Sequence, residues 1–170
     1  MKKYLKRWGI LFLLIMSCLG AFNLLSHKGR FEKVSHVSVD KGIFNENQVV
    51  YLGYLIKWEG IGTPILEKVE LILSDGTIFR TEDDPDFVQS FISKRDFGSM
   101  EENEAIKEGL VQSLLPVKGY KPDNDFSLVL RVKPKHIEPD HDISSVRIFY
   151  KKFGQSQTQT ILFDEGIVTE

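Results

Sequence analysis

The chain has 170 residues, a formal net charge of −2 and a single cysteine. This length allows one domain with a sizeable core, and one cysteine excludes an internal disulfide framework. Residues 1–26 hold four of the 22 Lys and Arg residues and none of the 24 Asp and Glu residues, so the remainder carries a net charge of −6. An acidic remainder without a basic stripe argues against nucleic acid as a partner.

Residues 8–25, WGILFLLIMSCLGAFNLL, form the only long uncharged apolar run of the sequence. As a helix this run would extend roughly 27 Å, close to the roughly 30 Å hydrocarbon core of a bilayer. Four cations and no acids occupy residues 1–7, which favours a cytoplasmic N-terminus. The run therefore predicts a single-pass signal anchor in the cell membrane. Residues 1–7 are then a cytoplasmic tail, and the C-terminal domain lies outside.

The sequence leaves two other interpretations of residues 8–25 open. Cys18 could be the lipidated residue of a lipoprotein, since Ser17 suits the position before it, although Met16 is unusual there. The apolar run also continues beyond Cys18, whereas a lipoprotein usually turns polar after its cysteine. Ordinary signal-peptide cleavage after a small residue such as Gly20 is the remaining alternative.

The rest of the chain predicts a short polar stalk over residues 26–32 and one extracytoplasmic domain over 33–170. Apolar alternation between turn signals predicts strands at 33–39, 48–58, 65–74, 77–80, 125–133, 143–151 and 157–163, with a last edge contact at 167–168. The segment 48–58 is apolar on both faces. We therefore expect a central strand, covered by the core on one face and partly by a helical insert on the other.

The insert is predicted over about 84–115. Asp84 and the proline after it form a helix start, and apolar residues then recur at helical spacing as far as about residue 93. Ser99 and Glu102 have the spacing of a capping box, which predicts a second helix to about residue 109.

Short strands joined by turns, interrupted once by helix, predict a mainly β protein. Seven strands with a turn about every ten residues favour an immunoglobulin-like antiparallel β-sandwich after the N-terminal transmembrane helix. The sequence has no β-α-β alternation, so a parallel α/β sheet is disfavoured.

Two hairpin-like segments carry a resemblance to known proteins. Residues 63–76, TPILEKVELILSDG, and residues 144–154, SSVRIFYKKFG, resemble hairpins in small membrane-anchored outer-surface proteins of Gram-positive bacteria that have an Ig-like domain. Most such proteins have no assigned activity. The resemblance implies the location and the fold class, and it implies no functional residues.

The densest polar group in the sequence lies in the loop 136–142. His136, Asp140, His141 and Asp142 could ligate a divalent metal, since imidazole and carboxylate suit zinc, nickel or copper. The competing interpretation is a solvated loop between strands, because ligands on one flexible loop are seldom held in a closed geometry.

Two further groups have a structural and a functional interpretation. The acidic run at 82–86 could bind calcium, or it could simply favour the positive end of a helix dipole. Tyr51, Tyr54 and Trp58 could line a ligand groove, although aromatic residues along a central strand usually belong to a core.

The sequence has no catalytic or cofactor motif, and no cofactor is predicted. The predicted function is a non-catalytic, membrane-anchored, extracytoplasmic interaction module of the bacterial cell envelope. Its partner would be another envelope protein or a wall component. The alternative is a metal- or small-ligand-binding accessory domain that uses the 136–142 loop.

Overall fold

The computed structural model describes residues 2–37, 39–40, 48–80, 88–123, 125–133, 142–163 and 168–169. The helices are α1 (Lys2–His27), α2 (Glu102–Lys107) and α3 (Leu110–Ser113). The strands are β1 (Arg30–Lys33), β2 (Val39–Asp40), β3 (Val50–Glu59), β4 (Ile65–Leu73), β5 (Ile78–Arg80), β6 (Val88–Ser93), β7 (Ser99–Glu101), β8 (Leu115–Pro116), β9 (Phe126–Val132), β10 (Ile143–Lys152), β11 (Gln155–Leu162) and β12 (Val168–Thr169). The protein is therefore mainly β.

Two antiparallel sheets form most of the domain, which is consistent with the predicted β-sandwich. One sheet has the order β1-β3-β9-β6-β8, with β7 also paired to β3, and the other has the order β11-β10-β4-β5. The short strands β12 and β2 form a separate parallel pair. The predicted strands at 48–58, 65–74, 77–80, 125–133, 143–151 and 157–163 are confirmed, with ends shifted by a few residues.

Buried side chains from both sheets form one hydrophobic cluster between them. They include Leu52, Tyr54, Ile56, Phe126, Leu128 and Leu130 from the first sheet and Leu66, Val69, Leu71, Ile143, Val146 and Ile148 from the second. Aromatic packing reinforces this cluster, since the rings of Tyr54 and Phe163 stack with centroids 4.4 Å apart.

The other face of β3 also packs against apolar side chains. Val49 and Tyr51 form a second cluster with Val129 of the neighbouring strand and with Ala105 of α2 and Leu110 of α3. The prediction that the core covers one face of this strand and the helical insert part of the other is therefore confirmed. Both faces of β3 are buried over most of its length, as expected of a central strand.

The predicted helix at 85–93 is wrong over its described part, because Val88–Ser93 is strand β6 between β9 and β8. Val88 and Ile92 face the cluster between the sheets, whereas Phe91 packs against the second cluster. A short strand with apolar residues on both faces mimics helical spacing. Residues 81–87, which include the acidic run up to Asp86, lie outside the described residues.

The predicted capping box is also wrong. Ser99 belongs to β7, which pairs with β3, and α2 begins at Glu102 after Glu101, with no side-chain capping hydrogen bond. Gly109 has a φ of 72°, in the left-handed region that favours glycine, and it separates α2 from α3.

The segment predicted as a stalk, 26–32, contains most of β1. Arg30–Lys33 pairs antiparallel with β3. Phe31 is buried, and its ring meets those of Phe126 and Tyr150 edge-on. The domain therefore begins several residues before Lys33, because Phe31 contributes to its core.

Along its described length, α1 presents apolar side chains to the outside on every side. The most exposed include Trp8, Phe12 and Leu13, at 71%, 65% and 70%. Judged on length and apolarity over the residues described, none of the helices qualifies as a membrane span.

Candidate functional site

The residues predicted to bind a metal are only partly described. His136, Asp140 and His141 lie outside the described residues. Asp142 directly precedes β10, and its Oδ1 accepts a hydrogen bond of 2.7 Å from the Ile143 N–H. No group of three or more His, Cys, Asp or Glu side chains that could hold a metal ion occurs among the described residues. Metal binding by the loop stays a prediction, as does lipidation of Cys18, which is exposed on α1.

Tyr51 and Tyr54 are buried in the core, whereas Trp58 is half-buried and also lines a small surface cleft. Tyr54 packs between the sheets with Trp58 against the same cluster, and Tyr51 is buried on the opposite face. The Tyr54 hydroxyl donates to the Val37 carbonyl at 3.1 Å. Burial and then the charge of Asp142 raise the pKa of Tyr54, which keeps the phenol neutral.

A set of charged residues covers the outer face of the four-stranded sheet. Val69 and Leu71 point into the core, so Lys68 and Glu70 point away from it. The register places Arg147 of β10 and Arg80 of β5 on either side of Glu70. We call this surface the basic face and define it as Lys68, Glu70, Arg80, Arg147 and Phe149.

The carboxylate of Glu70 is the centre of the basic face, with its side chain only 4% exposed. Its Oε1 accepts hydrogen bonds from Lys68 Nζ at 2.6 Å and from Arg80 Nε at 3.0 Å. Arg147 Nη1 lies 3.6 Å from Oε2. Three cations thus share one carboxylate, and the face carries excess positive charge although the whole domain is acidic.

The electrostatics of Glu70 suit recognition better than proton transfer. Burial alone would raise the pKa of this carboxyl group, but the hydrogen bonds from Lys68 and Arg80 outweigh burial and hold the pKa below its ordinary value. A general acid or base works best with a pKa near the operating pH. Glu70 is therefore suited to holding the three cations in position at neutral pH.

Apolar groups lie beside the charges on the same sheet. Lys68 Nζ lies 4.3 Å from the ring centroid of Phe149, which Thr158 opposes on β11. Leu162, near the end of β11, and Ile78 on β5 are 65% and 42% exposed. Arginine and aromatic residues next to exposed aliphatic ones are typical of protein–protein contact surfaces.

A small cleft borders the basic face. Its lining includes Glu67, Lys68, Arg80, Val117 and Lys118, and its volume is about 190 Å³. Pockets for drug-sized ligands are larger, typically several hundred Å³. The cleft has room for a single acidic side chain, and its lining carries three cations against one carboxylate, an excess of positive charge that complements such a group.

Part of the basic face could be predicted from the sequence. Alternation in β4 places Lys68 and Glu70 opposite the core residues, as the strand prediction for 65–74 required. The sequence could not show that Arg147, 77 positions after Glu70, pairs with it, because strand register between distant segments has no local signal.

No protein-family model, curated protein or solved structure matches this chain.

Proposed function

We propose that this chain is a non-catalytic interaction module held at the bacterial cell membrane, with its β domain outside, and that its basic face binds an acidic surface of another envelope protein. The excess of positive charge around the buried Glu70 carries this proposal. A wall polymer as partner is the competing outcome of the test below.

Two observations support attachment to the membrane through residues 8–25. The run has no charged residue and follows four cations. The described side chains of α1 also expose apolar surface around the helix, as Ile10, Phe12 and Leu14 show with exposures of 55%, 65% and 58%. A helix that is apolar all round needs an apolar environment.

The strand order supports an immunoglobulin-like topology. In that fold, strands A, B, E and D form one sheet and strands C, F and G form the other, with C′ added beside C in variable-type domains. Assigning A, B, C, C′, D, E, F and G in chain order to β1, β3, β4, β5, β6, β9, β10 and β11 reproduces the sheets β1-β3-β9-β6 and β11-β10-β4-β5. The small helices α2 and α3 then lie between D and E.

Replacing Arg147 by glutamine should reduce capture of the partner about tenfold, which corresponds to about 1.4 kcal/mol. Arg147 is 32% exposed. Because the single negative charge of Glu70 is already paired with Lys68 and Arg80, the positive charge of Arg147 adds to the excess on the basic face. The measurement is a pull-down from detergent-solubilised envelope with the tagged full chain, quantified by mass spectrometry. Higher salt should weaken capture by the original chain.

Two further variants make this test specific. Leu162→Ser removes apolar surface without touching Glu70 and should also reduce capture, whereas Lys107→Glu, on the opposite side of the sandwich, should leave capture unchanged. If no protein is captured reproducibly, or if Arg147→Gln captures as much as the original chain, the basic face is not the binding surface. Recovery of a polyanionic wall polymer instead would replace the acidic protein as partner.

We expect the Cys18→Ala variant to stay in the membrane fraction after alkaline washing, because the uncharged run 8–25 is intact in it. Release of this variant alone would show that a lipid on Cys18 anchors the chain. Release of the original chain as well would contradict membrane attachment altogether.

A further inference from the structure

The end of α1 is tied to the β domain by glutamine side chains of β11. Ser26 is buried, and its hydroxyl donates to Gln155 Oε1 at 2.9 Å. Gln157 Nε2 donates to the Ser26 carbonyl at 2.7 Å. Further along, Gln159 bonds both backbone groups of Phe31, at 2.7 and 2.6 Å. The helix therefore leaves the domain from a fixed position.

The turn between β10 and β11 lies against this end of α1. Phe153 and Gly154 have φ values of 50° and 83°, so both turn residues are left-handed, as in a type I′ hairpin turn. Such turns favour Asn or Gly at the first position, and a bulky aromatic residue is strained there. The ring of Phe153 nevertheless lies 5.9 Å from that of Phe22 in α1, and it remains 44% exposed.

The turn between β3 and β4 reaches the same end of the sandwich. A Cβ atom built on Gly62 would lie 2.5 Å from the Phe153 ring, so the two turns are in contact. Ile61 beside it is 54% exposed. Lys28 and Lys151 are exposed in the segments that lead into this end, and Glu59 is paired with Lys57 at 3.1 Å. Asp123 and Asp125 line a cleft with Lys57 and Trp58, so the end carries both signs of charge.

We propose that this end of the domain rests on the bilayer surface, with Ile61 and Phe153 inserted among the lipid headgroups. The inference rests on the proposed membrane attachment of α1, and it adds a second contact between the chain and the lipid. Phe153 continues the apolar surface of α1 through Phe22. Phe and aliphatic side chains insert apolar groups at the boundary of headgroups and acyl chains, and exposed lysines are attracted to anionic lipids.

The test uses nitroxide spin labels on the full chain, reconstituted in vesicles of phosphatidylcholine and phosphatidylglycerol. In a Cys18→Ala background, single cysteines are placed by Ile61→Cys, Phe153→Cys, Leu14→Cys and Ser74→Cys. Ser74 lies in the β4–β5 turn at the far end of the sandwich, so its label is the reference for full exposure to water. Leu14 lies in α1, so its label is the reference for a lipid environment. The measurement is the collision rate of each label with a water-soluble relaxing agent.

Labels at 61 and 153 should be several-fold less accessible to the agent than the label at 74. Because Ile61→Cys leaves Phe153 in place, its result stands even if the variant at 153 folds poorly. If labels 61 and 153 are as accessible as 74 while label 14 is shielded, α1 is in the membrane but the domain does not rest on it. An accessible label 14 would overturn membrane attachment and this inference together.

Discussion

Replacing Glu70 by glutamine is expected to lower the free energy of unfolding by about 2 kcal/mol. The substitution keeps the shape of the side chain but leaves Lys68, Arg80 and Arg147 close together without their shared negative charge. Removal of one member of a buried ion pair costs about 3–5 kcal/mol. The smaller figure applies here because Lys68 and Arg80 are 46% and 52% exposed and can turn towards water.

The same interaction should make stability depend on pH in a predictable direction. The pKa of Glu70 in the folded protein lies below its ordinary value of 4.5, so the folded state binds the proton less readily than the unfolded state. The stabilisation is therefore complete above about pH 4.5 and is lost as the pH falls through the folded-state pKa. The difference in stability between the original chain and Glu70→Gln should shrink over that acidic range.

Chemical denaturation of the full chain in detergent at a series of pH values measures both effects. Glu67→Gln is the matched control, since Glu67 lies on the same strand and is exposed. A Glu70→Gln variant as stable as this control would show that the three cations do not depend on the carboxylate.

The sequence predicts a strand correctly where the residues of that strand alone show a clear pattern of apolar side chains. In β3, Val50, Leu52 and Tyr54 recur at every second position in a segment rich in β-branched and aromatic residues, which favours a strand over a helix. In β6, six residues with apolar groups on both faces are too short a pattern to separate a strand from a helix, and their spacing predicts a helix instead. The error has a physical cause, because α2 and α3 cover the outer face that would otherwise be polar.

Contacts between distant segments could not be predicted in the same way. The alternation at 157–163 predicts a strand, but no local pattern indicates that Gln159 bonds Phe31 across 128 positions. Likewise, no local pattern relates Lys68, Arg80 and Arg147 to one another, and only the strand register groups them around Glu70. Side-chain alternation is local, whereas register depends on the whole sheet.

Lys152 is expected to be the most sensitive residue at the junction of α1 and the domain. Its side chain is buried, with 1% of the residue exposed, and Nζ donates a hydrogen bond to the Lys28 carbonyl. The ammonium group also lies 5.1 Å from the Trp58 ring centroid and 5.8 Å from that of Phe153. No described carboxylate pairs with it, so a carbonyl and two aromatic rings take the place of a counter-ion.

Lys152→Ala should lower the free energy of unfolding by about 3 kcal/mol, because it removes buried methylene groups and leaves a cavity. Lys152→Met should cost about 1 kcal/mol, since it keeps most of the packing and loses the hydrogen bond to Lys28. Lys151→Ala, at an exposed neighbouring position, is the control and should be close to neutral. Equal losses for the alanine and methionine variants would show that the charge, and not the packing, matters at this position.

Stability measurements at alkaline pH separate the free-energy cost of burying the Lys152 charge from the stability that its packing contributes. Burial lowers the pKa of Lys152 below its ordinary value of 10.5, so the unfolded chain binds the proton more readily than the folded protein. The contribution of Lys152 to stability should therefore rise with pH from the lowered pKa up to about 10.5, and Lys152→Met should lack this rise. Denaturation curves of the two proteins across that range give the difference directly. A difference that falls with pH would mean that the ammonium group is more stable at the junction than in water.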